Sequence, residues 1–493
     1  MSSNLSRRSL VQKGSALGAA AAFTKVSGIS AQDATPGATP AASPVADADF
    51  LAAQEQLKED LKQYEGQTLK MLTAVAGGKD PDEDALFAQE FERLTGVKLE
   101  MVHPAADYDQ KRQADLNAGV EYDLIYTNKQ WMDVMVDQEI LVDLTEQINN
   151  SAILSNPTVI PTAEWDQVKY DGQIYSVFNK FEGSRMLTMR GDWLDKLGLE
   201  APSTLDELYD VMVALRDGDP ADDGGQPIGF SATGTYDFQP FFSAFGLRNG
   251  FSGGDLNSRK IDYASDEAIE VYEFLNKLFV EGLIDPNFAT QEMADVRNQF
   301  MTDKVSSLCY WDTWVGLFNA QVTAGDPATE FHAIGVAAAA DDAGNVTITR
   351  GQPSVWVIPI NAPSPELAFK ILEWWQTFDG IQLTSLGIEG HDFTVTDGVY
   401  ELTEVGTTHA MDHGQPTPYN SNWVNPVGEL PGLKEAQEIT KTYASLDALG
   451  PDWEPTIKPL VDEAMIRMIL GDVAPAEGVA ALQEELRAGG FID

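Results

Sequence analysis

The chain reads as an α/β protein with enough material for two full-sized cores. Three observations carry this. Strand-like and helix-like segments alternate from Leu69 onward, the same alternation returns after Ser354, and 493 residues at 43% hydrophobic and 9% aromatic content are a globular composition.

The elements follow in order. Leu69 to Val75 is strand-like and runs into Gly77-Gly78. Glu83 to Thr95 has apolar residues at helical spacing (Leu86, Phe87, Phe91, Leu94) and stops at Gly96. Val97 to Val102 alternates as a second strand, Tyr108 to Asn117 is helical, and Tyr122 to Thr127 is a third strand. Strand, helix, strand, helix, strand predicts a parallel sheet with covering helices. Ligands sit beyond the carboxyl ends of such strands, here Ala76 to Lys79 and Thr127 to Trp131. Further on, Thr204 to Arg216 is a helix opened by the capping pair Ser203-Thr204, and Ser265 to Val280 is a long amphipathic helix ended by Gly282. Ser354 to Ile360 is a strand, and Ser364 to Phe378 a helix with Pro365 in its first turn. No repeat of fixed period is present.

The N-terminus has the plan of a signal peptide. Arg7-Arg8 precede a mildly apolar stretch, Gly14 to Ala22, and the small-residue site Ile29-Ser30-Ala31. Adjacent arginines point to the twin-arginine kind, removed as residues 1–31. No cysteine lies near the cleavage point, so no lipid anchor is expected. Asp33 to Ala48, with three prolines among small residues, is a tether, and Asp49 to Tyr64 an amphipathic helix, so 32–65 lead into the fold. No later stretch reaches 18 uncharged apolar residues, so the mature protein is expected outside the cytoplasm, periplasmic or extracellular.

Charge excludes one class of partner. With 32 Lys and Arg against 77 Asp and Glu, the net charge is −45 and the pI near 4.2, and such a surface repels nucleic acid and anionic lipid. The single cysteine, Cys309, allows no intramolecular disulfide and lies in an apolar run, as a buried hydrophobe would.

Several runs in a fixed order resemble the family 1 extracellular solute-binding proteins of ABC importers. They are Tyr122 to Tyr126, Tyr170 to Ser176 (YDGQIYS), Met189 to Leu199 (MRGDWLDKLGL), Pro202 to Leu208, Gly282 to Thr290 (GLIDPNFAT) and Gly387 to Phe393 (GIEGHDF). The last two look like the branch that binds oligosaccharides or uronate-rich glycans. The resemblance runs from about Leu69 to the C-terminus. It implies a periplasmic-binding-protein-like fold: two α/β lobes joined by crossing strands, a ligand cleft between them, and no catalysis. Lobe one would take 66–182 and 338–390, and lobe two 183–337 and 391–493. The partners implied are a carbohydrate, probed by a monomeric receptor, and a permease in the membrane.

Sugar recognition needs flat apolar faces and planar polar groups. Trp311-Asp312-Thr313-Trp314 offers both, at a place where the family often carries a ligand aromatic; Tyr236-Asp237-Phe238, Glu182, Asn128, Trp131 and Trp356 are the other candidates. Trp374-Trp375 lies inside an amphipathic helix and reads as packing. Asp217 to Gly225 resembles a calcium loop of that branch, with Asp219 and Asp223 as ligands. Ala221 at the third position and Gln226-Pro227 where a closing carboxylate is needed depart from that pattern, so a solvated acidic turn is the favoured reading and calcium the alternative. His409 and His413 are four apart, but Gly414, Pro416 and Pro418 predict a loop, and no zinc motif is completed. The competing function, a secreted glycan-active enzyme with paired carboxylates, gains nothing from a chain so rich in acids that any pair could be proposed.

Overall fold

The computed structural model describes residues 46–74, 83–104, 107–450 and 452–493. The arginine leader, most of the tether and the stretch Ala76 to Lys79 lie outside the described residues.

A first sheet of five strands has the order Lys98–Val102, Thr68–Leu72, Leu124–Asn128, Ser354–Val357, Ser176–Phe178. The first three are parallel, and Ser354–Val357 runs antiparallel to both of its neighbours. Its central strands are covered on both faces, so they read as continuous apolar runs: Leu69, Leu72, Leu124, Ile125, Val355 and Val357 are fully buried. Helix Asp84–Thr95 turns Phe87 and Phe91 onto the sheet and ends where Gly96 takes φ 74°, a left-handed turn suited to glycine. Across from it, helix Pro365–Trp374 sets the Trp374 ring edge-on to Phe91, centroids 5.3 Å apart. Helix Ala48–Leu61, capped by the Asp47 carboxylate at Phe50 N (2.8 Å), buries Phe50, Leu57 and Leu61 in this same core. Each such side chain contributes about 1.5–3 kcal/mol by leaving water, so this helix is part of the first lobe rather than a mere leader.

A second sheet has the order Ala333–Val336, Arg185–Arg190, Val305–Trp311, Ile228–Ser231. A separate core covers it, built from helices Leu205–Asp217, Ala268–Val280, Lys458–Leu470 and Pro475–Ala488. The first of these starts with a reciprocal cap, Thr204 Oγ1 accepting from Glu207 N (3.3 Å) and Glu207 Oε2 from Thr204 N (3.2 Å). Cys309 is buried here, and burial pushes its thiol up to about 11.

Among the described residues, three segments that lie close together join the two sheets. Asn179 to Ser184 carries it from the first to the second, and Gly351 to Pro353 brings it back. Gly351 N donates to Gly183 O at 2.9 Å, and Ser184 pairs with Arg350. The segment through Thr417 and Tyr419 crosses beside them, with Phe181 N donating to Thr417 O at 2.8 Å. The return crossing therefore lies at 351–353, not near 338. Strand Ile348–Arg350 pairs with Ala444–Leu446, and Thr347 N donates to Ser243 Oγ (2.8 Å), which keeps this stretch with the second lobe. A further correction concerns 404–413. This stretch is a helix, capped by Thr403 Oγ1 at Gly406 N (3.1 Å), and the glycine and prolines act only after it. Among the described residues no helix is long and apolar enough to cross a membrane.

Candidate ligand cleft

On the first lobe, strand Leu124–Asn128 delivers Asn128 to the carboxyl edge of the sheet. Its side-chain oxygen accepts from Trp131 N at 3.0 Å and starts helix Lys129–Asp137, which leaves the amide group as a donor. Trp131 is 36% exposed, high for an indole, and the buried Arg112 guanidinium lies 5.0 Å from its ring centroid. Arg112 is itself fixed by Thr127 Oγ1 (3.2 Å) and Asp109 (2.9 Å). Ser354 stands opposite Asn128 in the ladder and donates to the Glu182 carboxylate, so Asn128, Ser354 and Glu182 meet at one edge.

On the second lobe, Arg185 and Trp311 are ladder partners at the matching edge. Arg185 is buried and ion-paired with Asp237, and its guanidinium lies within 5.1 to 5.5 Å of the Tyr310, Tyr236 and Trp311 ring centroids. Tyr236 and Trp311 thus share one cationic support and are both half-buried. Burial raises the Tyr236 phenol well above its ordinary range, so it stays a neutral hydroxyl. Gly351 lies against Trp311: a Cβ there would come within 3.1 Å of the ring. The crossing thereby brings Trp311 to within a few residues of Glu182. Arg185 was not among the expected site residues. Its signal was a charged residue opening a strand that is buried along its whole length, where only a buried partner makes the charge tolerable.

Four of the expected ligand residues are buried among other side chains. Phe238 is fully enclosed by Phe230, Phe241 and Phe288, because the tight turn Thr235–Phe238 sends Tyr236 outward and the next two residues in. Asp312 is 1% exposed, and its carboxylate accepts from Thr440 Oγ1 (2.7 Å), Thr313 N (2.7 Å) and Ser184 N (3.4 Å). Burial raises its pKa, with those bonds opposing. It pins the first crossing from below. Trp314 packs between Tyr310, Phe318 and the Arg297 guanidinium. Trp356, 5% exposed, donates from Nε1 to Asn179 Oδ1 (2.9 Å) with its ring between Tyr126 and Trp375.

The acidic loop does not fit a divalent cation. Asp219 accepts from Gly224 N (3.2 Å), and Asp223 accepts from Gly225 N (2.7 Å) with Lys304 Nζ 3.7 Å away. Lys196 Nζ takes both Pro220 O (2.5 Å) and Asp222 Oδ2 (2.6 Å), and Ala221 offers no side-chain oxygen. Asp219 and Asp223 are therefore turn residues. His409 Nδ1 lies 2.9 Å from Asp392 Oδ1, so that ring is held by a carboxylate. Among the described residues, no three His, Cys, Asp or Glu side chains are placed to hold a metal.

Two α/β lobes on adjacent crossings, with aromatic and polar side chains at the facing edges of both, define a two-lobe binding protein. The chain belongs to the bacterial extracellular solute-binding protein family, whose sequence profile matches residues 76–379. This is a family of solute binders rather than of enzymes.

Among curated relatives, it is 32% identical over 253 residues to the fructooligosaccharide ABC transporter substrate-binding protein FusA of Streptococcus pneumoniae, 45% of each chain. It is 23% identical over 352 residues to the polygalacturonan/rhamnogalacturonan-binding protein YtcQ of Bacillus subtilis, 66% of this chain and 69% of that one. The FusA match thus spans under half of that relative's length. Among solved structures, an HMO-binding, ABC-transporter-associated solute-binding protein from Bifidobacterium longum infantis matches with a TM-score of 0.64 at 18% identity, covering 86% of this chain and 96% of that one. An EF-hand mutant of FusA in complex with fructo-nystose matches at 0.58 and 20% identity, covering 86% and 96%. At these identities the structural likeness shows the fold.

Proposed function

We propose that this chain is the exported receptor of an ABC importer and captures an oligosaccharide between its lobes. The observation that carries it is the pair of facing edges: Asn128, Trp131 and Glu182 on one lobe, Tyr236 and Trp311 on the other, meeting at the crossings. Indole and phenol faces suit the C–H side of sugar rings, and the amide and carboxylate suit their hydroxyls. The ligands named for FusA and YtcQ support the carbohydrate class. We assign residues from Asp47 through Phe181 and from Ser354 to about Ile388 to lobe one, with Arg185 to Arg350 and the C-terminal helices in lobe two. Ligand capture is calcium-independent, since Lys196 serves the acidic loop as its cation. Export uses the folded-protein route read from Arg7-Arg8.

Calorimetric titration of the mature chain with kestose and with oligogalacturonates, followed by chromatography of the mixture, tests this. Saturable one-to-one binding with the sugar recovered intact supports the receptor. Release of shorter sugars would establish a glycan-active enzyme instead.

A further inference from the structure

Arg350 occupies an unusual place. Its backbone closes strand Ile348–Arg350 of the second lobe, opposite Leu446, while its side chain reaches back through the crossings into the first lobe. Nε donates to the Glu182 carbonyl at 3.0 Å, in the first crossing. Nη1 pairs with the Glu164 carboxylate at 2.9 Å, in the first-lobe turn Thr162–Val168. Nη2 donates to the Tyr419 hydroxyl at 3.0 Å, in the third crossing segment, and Tyr419 in turn donates to Glu164 at 3.0 Å. The guanidinium also lies over the Phe181 ring at 4.5 Å. One planar group, set on the residue just before the second crossing, therefore holds atoms of the first and third segments that join the lobes, and it is only 6% exposed.

We infer that Arg350 is a positioning residue for ligand capture: it clasps the first and third crossings to the strand that leads into the second, and so sets the angle between the lobes. The fork of a guanidinium suits this, because its donors point in fixed directions and serve several acceptors at once, which a lysine ammonium cannot copy. Through the Glu182 carbonyl it also fixes the backbone that carries the Glu182 carboxylate to the cleft edge, so hinge angle and cleft geometry are set by one side chain. The buried charge is matched by Glu164, and removing either partner leaves the other uncompensated. The inference rests on the two-lobe receptor reading, but its test needs no ligand.

Exposed Val280 on the second lobe and exposed Ile360 on the first are changed to Cys and spin-labelled, with the buried Cys309 left in place, and the interlobe distance distribution is measured without sugar. The unaltered hinge is expected to give one narrow distribution. Arg350→Met should shift it to broader and longer distances, Arg350→Lys should fail to restore it, and Glu164→Gln should broaden it less. Circular dichroism checks that each variant is folded, and if Arg350→Met does not fold, Arg350→Lys and Glu164→Gln decide. Superimposable distributions in folded variants would overturn the clasp. That result would leave the receptor reading standing, whereas absence of sugar binding in the titrations above would remove that reading without touching this measurement.

Discussion

Gln130 of the first lobe donates from Nε2 to the Gly450 carbonyl of the second at 3.1 Å. Gln130 sits one residue before Trp131, and Gly450 lies beside the Phe251 ring of the second core, so this bond spans the mouth of the cleft. It is partly exposed and worth only about 0.5–1.5 kcal/mol. A contact that weak can hold the lobes together when ligand adds to it and release them when ligand leaves.

Of the candidate tryptophans, Trp131 and Trp311 keep exposed ring surface, and the proposed cleft uses both. Trp131→Ala and Trp311→Ala should each weaken sugar binding by about 1–3 kcal/mol, or roughly 5- to 150-fold. Trp314→Ala, by contrast, should lower the melting temperature with little change in affinity among molecules that remain folded. Titration calorimetry beside a thermal melt separates the two outcomes.

The first crossing depends on a missing side chain. A Cβ on Gly183 would lie 2.0 Å from Asp312 Oδ1, and that carboxylate is tied to Thr440 and Thr313. Gly183→Ala should destabilise the protein by about 1–3 kcal/mol through overpacking. A urea titration reads this directly, and an unchanged midpoint would show that Asp312 can move aside.

A buried carboxylate near the hinge predicts pH dependence. Burial pushes Asp447 up to about 6, against stabilising contacts from Arg248, Asn249 and Thr349. The folded state then holds this proton more tightly than the unfolded chain, whose Asp titrates near 3.9. Its contribution is present below about pH 4 and is lost as pH rises to about 6. Asp447→Asn should flatten that part of the melting-temperature profile between pH 4 and 6.5, with the difference from the parent chain largest at the upper end.

The lobe architecture was legible because its strands and helices carry plain periodic signals: the strand through Leu69 to Leu72, Phe87 with Phe91, and the Thr204 cap all appear in the structure where their patterns lie. The site was less legible. Phe238 and Tyr236 are two residues apart in one turn, and only the turn's geometry decides which faces the cleft. Asp312 resembles a sugar-binding carboxylate by type, but its partners Ser184 and Thr440 are 128 residues away on either side. Arg350, like Arg185, shows its role only once the three crossings are brought together.

The central claim is ligand-driven closure, and small-angle scattering tests it most directly. Contacts drawn from both lobes stabilise only the closed state, so a cognate sugar must shift the population toward it. The mature chain, measured with and without the oligosaccharide that calorimetry identifies, should show a smaller radius of gyration when loaded. A sugar that binds tightly and leaves the scattering curve unchanged would contradict capture by closure.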